Sequence, residues 1–318
     1  MKQDNLIWQK KDLLGTYDLT REEILYLLDT AKSMEEVLER DVKKVPTLRG
    51  KSVVTLFYEP STRTRTSFEL AAKILSSDTI NISVQASSAT KGETILDTVK
   101  NIEAMSVDCI IVRHSMSGIS EFIARECKLS VINAGDGSHE HPSQALLDLL
   151  TIRDFKGRIE GLKIAIVGDV LHSRVARSNL FALKKLNNTV NFVGPVTFVP
   201  KDFEQFGAKV YHSLEEGIED VDVVMVLRLQ KERMGRCFYP SEREYASFFS
   251  INTRTIKYAK EDAIVMHPGP VNRGLEISSD LLDSDRSVVL DQVKKGVAVR
   301  MAILYTLLSG GRIEDSHK

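Results

Sequence analysis

Short runs of β-branched and aliphatic residues recur along the chain, and between them lie longer stretches in which apolar positions return every three or four residues. The first pattern suits strands and the second amphipathic helices. Strands are predicted at 52–58, 79–84, 108–114 and 130–134, with helices at 62–76, 93–105 and 142–155. A second series opens with LKIAIVGD at 162–169, continues with a helix near 173–187, and has strands at 189–193, 208–211, 221–228 and 263–267. A last amphipathic helix begins at Asp291 and closes on the pair Gly310 and Gly311, which suits a C-terminal cap.

Strands alternating with helices mark parallel sheets with crossover helices, so the predicted class is α/β with two doubly wound domains. The polar stretch from Gly157 to Gly161 is the candidate boundary, giving units 1–156 and 157–290.

Composition narrows the function. The chain has 318 residues with 43 Lys plus Arg against 44 Asp plus Glu, a net charge of −1. That balance leaves no basic field for nucleic acid or an anionic membrane surface. Cys109, Cys127 and Cys237 are far apart and form no CxxC pair, which argues against a disulfide framework or a structural zinc and makes the cytoplasm the expected compartment. No segment approaches the roughly 20 apolar residues of a membrane span.

The densest chemistry lies at 57–75. A strand ends, Pro60 and Ser61 turn the chain, and a helix opens on Thr62, Arg63, Thr64 and Arg65. Free helix-start N–H groups, hydroxyls and guanidinium forks together make a site for phosphate or a similar oxyanion. The plain alternative is a capping Ser/Thr cluster beside solvated arginines. In an open α/β sheet, however, ligands bind beyond the carboxyl ends of the strands. The loop after the second strand holds Ser87 and Lys91, the third strand ends in Arg113 and His114, and His141 and Gln144 open the helix after the fourth. Arg63, Lys91, Arg113 and His141 are thus expected at one end of one sheet.

STRTR after a strand, the loop KGET, the Arg113–His114 pair, HPSQALLDL, LRLQKER and HPGPVNRG, in this order, resemble the catalytic chain of the aspartate carbamoyltransferase family. The resemblance runs from Ser61 to the helix QVKKGVAVRMAIL. It implies a carbamoyl phosphate domain, an aspartate domain, a hinge between them, and a C-terminal helix (291–318) returning to the first domain. It also implies a homotrimer with active sites at subunit borders, on which some members assemble regulatory chains or a dihydroorotase. Carried over by position, the carbamoyl phosphate ligands are Ser61, Thr62, Arg63, Thr64, Arg113, His141 and Gln144. Ser87 and Lys91 match a loop that reaches a neighbouring subunit's site, with Ser88 adjacent to Ser87. Arg174, Arg228 and Gln230 match aspartate-binding positions, and Pro268 and Gly269 supply backbone contacts. Some members carry Leu where this chain has Gly269, which favours a carbonyl role there over a side-chain role.

The implied reaction transfers the carbamoyl group of carbamoyl phosphate to L-aspartate, the committed step of de novo pyrimidine biosynthesis. Charge agrees with it: carbamoyl phosphate carries about −2 and aspartate two carboxylates, against five cations at Arg63, Lys91, Arg113, Arg174 and Arg228. An activated acyl donor requires no protein nucleophile, metal or cofactor, and the sequence has neither a GxSxG elbow nor an HExxH motif. The nearest rival is the ornithine enzyme, whose members carry HCLP and an SMG loop where this chain has HPGP and LRLQKE. A non-catalytic dianion-binding regulatory chain is a further alternative. An NAD enzyme is suggested only by the VGD at 167–169, where VLHSR supplies no further glycines for a pyrophosphate turn. His267 at a strand end reads as a hydrogen bonder that orders its loop.

Overall fold

The alternation becomes two parallel sheets in the computed structural model, which describes residues 8–83, 93–229 and 241–309. In chain order the first series is α1 (Arg21–Leu38), β1 (Ser52–Phe57), α2 (Thr62–Ile74), β2 (Asp78–Ser83), α3 (Ile95–Ala104), β3 (Cys109–His114), α4 (Ile119–Glu126), β4 (Ser130–Asp136) and α5 (Pro142–Lys156). The second is β5 (Lys163–Val167), α6 (Arg174–Lys185), β6 (Thr189–Val193), β7 (Lys209–Tyr211), α7 (Leu214–Ile218), β8 (Val223–Val226), α8 (Glu242–Phe249), β9 (Ile264–Met266), α9 (Ser279–Leu282) and α10 (Val289–Leu308).

The chain divides into one unit of Met1–Leu146 with Lys295–Lys318 and a second of Leu147–Lys294. Divided by contacts, the units part inside α5 and α10, within about 15 residues of the stretch Gly157–Gly161 and of residue 290. The polar Gly-bearing stretch is the loop between α5 and β5.

The first sheet has strand order β2-β1-β3-β4, and every pair is parallel. Strands β1, β3 and β4 are apolar on both faces, as a sheet covered on both sides requires: Val53, Val54, Leu56, Ile110, Ile111, Val112, Val131 and Ile132 are all buried. The second sheet, β7-β6-β5-β8-β9, is also wholly parallel. Ile164–Val167 and Val223–Val226 fill its centre. Gly168 ends β5 at φ +127°, where a Cβ would stand 3.2 Å from the Leu227 Cβ. That glycine serves a close strand-end approach and not a pyrophosphate.

The end of β4 is fixed by a buried carboxylate. Asp136 accepts from Gly118 N–H at 2.7 Å, Asn133 Nδ2 at 2.8 Å and Glu140 N–H at 3.1 Å, and the His139 Nδ1 lies 3.0 Å away. Burial pushes the Asp136 carboxyl up, but the His139 ring, the Asn133 amide and the Gly118 N–H outweigh it, and the net displacement is downward. Glu140, also buried, accepts from Thr16 N–H at 2.7 Å and Tyr17 N–H at 3.1 Å, tying the segment before α1 to the loop before His141.

Asp136→Ala is expected to lower stability by about 3 kcal/mol at neutral pH, since buried donors stripped of an acceptor cost ~1–3 kcal/mol each. Because the folded carboxyl titrates below its unfolded value near ~3.9, its contribution is complete above that pH and is lost as pH falls through the folded value. Urea midpoints of the two proteins measured from pH 7 downward should differ most at the upper end and converge in acid.

Candidate active site

Strand order determines where each unit can hold a ligand. In β2-β1-β3-β4 the crossovers leave β1 and β3 toward opposite sides, so a crevice opens beyond the carboxyl ends of these two strands. The chain leaving β1 is the segment that turns at Ser61 into α2, and Arg113 stands near the end of β3, opposite Phe57 of β1. Ser61 is the N-cap of α2 but makes no side-chain cap hydrogen bond. The helices α1 and α3, by contrast, open with full capping boxes from Thr20 with Glu23 and Thr94 with Asp97. The first-turn amides of α2 are thus not capped by the residue placed to do so, and they sit beside exposed Thr62 and Arg63 and buried Thr64. A helix start in that state attracts an anion.

Arg113 is held firmly. Its Nη1 donates to the Ala134 carbonyl at 3.0 Å and its Nε lies 3.4 Å from Glu59 Oε2, with both side chains largely buried. The pairing of β3 with β4 shifts register between Val112 and His114, the kind of irregularity that re-aims a side chain at a strand end. His141 precedes Pro142 at the start of α5 and is 4% exposed; its Nδ1 lies 3.5 Å from Ser143 Oγ, and Gln144 follows in the first turn, also buried. Three adjacent strands, β1, β3 and β4, therefore deliver Ser61–Thr64, Arg113, and His141 with Gln144 to one edge of the first sheet.

The second sheet repeats the logic. In β7-β6-β5-β8-β9 the reversal lies between β5 and β8. Beyond β5, Ser173 caps α6 through Ala176 N–H at 3.1 Å and Arg174 is its first residue, 4% exposed. Beyond β8 comes Arg228, and beyond β9 come Pro268 and Gly269. The Gly269 N–H donates to His267 Nδ1 at 2.7 Å, so His267 does order its loop. Asp169 and His172 form a pair at 2.9 Å next to Arg174; burial raises the Asp169 carboxyl in spite of that partner. Ser87, Ser88, Lys91 and Gln230 lie outside the described residues.

Glu59, Asp136, Glu140 and Asp169 were not singled out from the sequence. Each is an acidic residue at or just past a strand end, a signal that was present but has no chemical meaning until the cation or amides it faces are known. The remaining described histidines have structural partners. His114 Nδ1 accepts from Met116 N–H at 2.9 Å with its ring against Tyr58, and burial pushes its pKa down. His212 Nδ1 lies 3.0 Å from the Gly194 carbonyl. Cys109 and Cys127 are free and buried, and burial pushes both thiols up. Among the described residues, no group of three or more His, Cys, Asp or Glu could hold a metal ion, and no helix is long and apolar enough to cross a membrane.

Known proteins share this arrangement. The family model "Aspartate/ornithine carbamoyltransferase, carbamoyl-P binding domain" matches residues 11–154, and "Aspartate/ornithine carbamoyltransferase, Asp/Orn binding domain" matches residues 160–307. An aspartate carbamoyltransferase catalytic subunit of Syntrophus aciditrophicus is 57% identical over 300 residues, 94% of this chain and 98% of that protein. The crystal structure of Trypanosoma cruzi aspartate transcarbamoylase with carbamoyl phosphate and aspartate superimposes with a TM-score of 0.84 at 32% identity, covering 93% of this chain and 96% of that one. Thermus thermophilus ornithine carbamoyltransferase gives 0.83 at 27% identity, covering 95% of this chain and 100% of that one. The two matched domains span nearly all of the described fold and relatives above 50% identity extend over almost its whole length, so the chain belongs to the aspartate/ornithine carbamoyltransferase family, on the side of the aspartate carbamoyltransferase catalytic chains.

Proposed function

We propose that this chain transfers the carbamoyl group of carbamoyl phosphate to the α-amino group of L-aspartate, giving N-carbamoyl-L-aspartate and phosphate. The observation that carries the reading is the pair of arginines, Arg174 and Arg228, flanking the strand-order reversal of the second unit. A crevice bordered by two guanidinium groups suits a dicarboxylate and repels the cationic side chain of ornithine.

Arg63 and the α2 amides hold the phosphate, with Ser61, Thr62 and Gln144 completing its ligands. Thr64, Arg113 and His141 donate to the carbamoyl oxygen. The neutral amine attacks the carbonyl carbon, the new C–N bond forms, negative charge collects on that oxygen, and the C–O bond to phosphate then breaks with the amine proton passing to solvent or phosphate. Each oxyanion donor is worth ~2.7–4 kcal/mol. Glu59, 3.4 Å from the Arg113 Nε, partners this largely buried guanidinium while its other face remains directed to the substrate. Positioning and electrostatics suffice because the acyl donor is already activated. Arg228, Gln230 and the Pro268 and Gly269 carbonyls orient aspartate with Arg174.

The same reading includes a homotrimer in which Ser87 and Lys91 complete a neighbour's site, and a cytoplasmic setting in keeping with free thiols at Cys109 and Cys127. Regulatory chains or a dihydroorotase are further partners of such trimers.

Phosphate release with carbamoyl phosphate is expected to require L-aspartate; turnover with L-ornithine alone overturns the assignment. The two half-sites should separate on mutation. Arg63→Ala removes charge-assisted bonds worth ~1.5–3 kcal/mol each and should abolish carbamoyl phosphate binding in calorimetry. Arg228→Ala should leave that binding nearly unchanged while aspartate use falls at least about tenfold, and equal loss of both would instead assign Arg228 to supporting its loop. For sharing across subunits, folded but inactive Arg63→Ala and Lys91→Ala chains are expected to regain activity when mixed, because some hybrid sites then carry both wild-type residues. Hybrids that remain inactive after verified exchange count against a shared site.

A further inference from the structure

Inside the second unit, four buried polar groups run in one line between the two elements that carry its proposed aspartate ligands. The His267 N–H, at the root of the Pro268–Gly269 loop, donates to Gln292 Oε1 at 2.9 Å. Gln292 Nε2 donates to Asp148 Oδ1 at 2.8 Å. On the other side, Asn179 Nδ2 donates to Asp148 Oδ2 at 2.9 Å and to the Val175 carbonyl at 3.0 Å, fixing it within α6, the helix that Arg174 opens. His267, Gln292, Asp148 and Asn179 are each no more than 2% exposed.

The direction of every bond in this line is forced. A backbone N–H can only donate, so the Gln292 oxygen must face His267 and its amino group must face Asp148. The Asp148 carboxylate can only accept, and it receives a donor on each oxygen. Burying such a carboxylate costs free energy that apolar packing of the same volume would not, so stability alone is a poor reason for it. What the line does supply is a fixed separation between the loop of Pro268 and Gly269 and the helix of Arg174. The loop is held on its far side as well, where His267 Nε2 lies 3.3 Å from Glu276 Oε1 and Asn272 N–H donates to the same oxygen at 2.9 Å.

We propose that Asp148 and Gln292 are positioning residues for the acceptor: through a polarised buried line they set the distance between Arg174 and the Pro268–Gly269 carbonyls, and hence aspartate selectivity and affinity. This rests on the aspartate reading of the second half-site.

The forced directions provide the test. Asp148→Asn puts an amino group against a donor, and Gln292→Glu sets two carboxylates face to face. Combined, D148N/Q292E restores the three bonds that join His267, position 292, position 148 and Asn179: the link between positions 148 and 292 reverses, with the introduced amide donating to the introduced carboxylate, and the net charge is unchanged. Each single variant is expected to raise the aspartate KM about tenfold, as befits one broken buried hydrogen bond, with carbamoyl phosphate affinity by calorimetry within about twofold of the parent. The double variant should return the aspartate KM to within about threefold of the parent. An apolar pair, Asp148→Leu with Gln292→Met, supplies a second measurement should a single variant fail to fold. It keeps the volume packed without the polar line, so a raised aspartate KM supports positioning and an unchanged one overturns it. A double variant no better than the singles, or equal damage to carbamoyl phosphate binding, also overturns it. Failure of the aspartate reading itself looks different: Arg228→Ala would then leave aspartate use intact in the parent chain.

Discussion

Parallel strands discharge the chain at one end only, and where two successive crossovers depart to opposite sides, no helix can cover the gap between them. Both sheets of this protein contain that gap, between β1 and β3 in one unit and between β5 and β8 in the other. Everything chemical follows from it. Residues next to the gap are brought there by connectivity, not by a local motif, and residues two strands away join only as far as their loops reach. The first gap receives an uncapped helix start and an arginine; the second receives two arginines. Each unit therefore concentrates positive charge at a place the fold leaves unfilled.

Carboxylates near the strand ends meet three different kinds of partner. Glu59 accompanies Arg113, and Asp136 gathers amides and a histidine at the end of β4. Asp169 pairs with His172 next to Arg174. Asp136 is satisfied well enough for its carboxyl to ionise more readily than usual, whereas Asp169 remains dominated by burial. The first behaves as a fixed structural anion, and the second lies nearer the energetic balance between charged and neutral.

Strand and helix positions were legible because buried parallel strands are written as unbroken apolar runs, and here they coincide with β1, β3, β5, β6 and β8 to within a few residues. The phosphate-side residues were legible for a related reason: STRTR combines hydroxyls and guanidinium groups directly after such a run. Short helices such as α4 and α7 carry too little periodicity to stand out. Partnerships between distant residues were not legible at all. Nothing in the sequence says that Glu59 faces Arg113 or that Glu140 reaches back to Thr16, since both depend on strand order and loop course.

The two units differ in how their residues are distributed along the chain. The second is a single stretch, Leu147–Lys294, while the first needs residues from Lys295 onward. Lys295 pairs with Glu35 of α1 at 2.8 Å with little exposure on either side chain, and Arg300 donates to Ser67 of α2 at 3.0 Å and lies over the Phe68 ring. During synthesis the second unit can close on itself as soon as its own residues have emerged, whereas the earlier-made first unit must wait with part of its core uncovered. The helix whose first turn carries Arg63 thus gains a packing partner only after the whole second unit has been translated, and a ribosome that stops short of Arg300 leaves the phosphate side of the protein unfinished while the acceptor side is already whole.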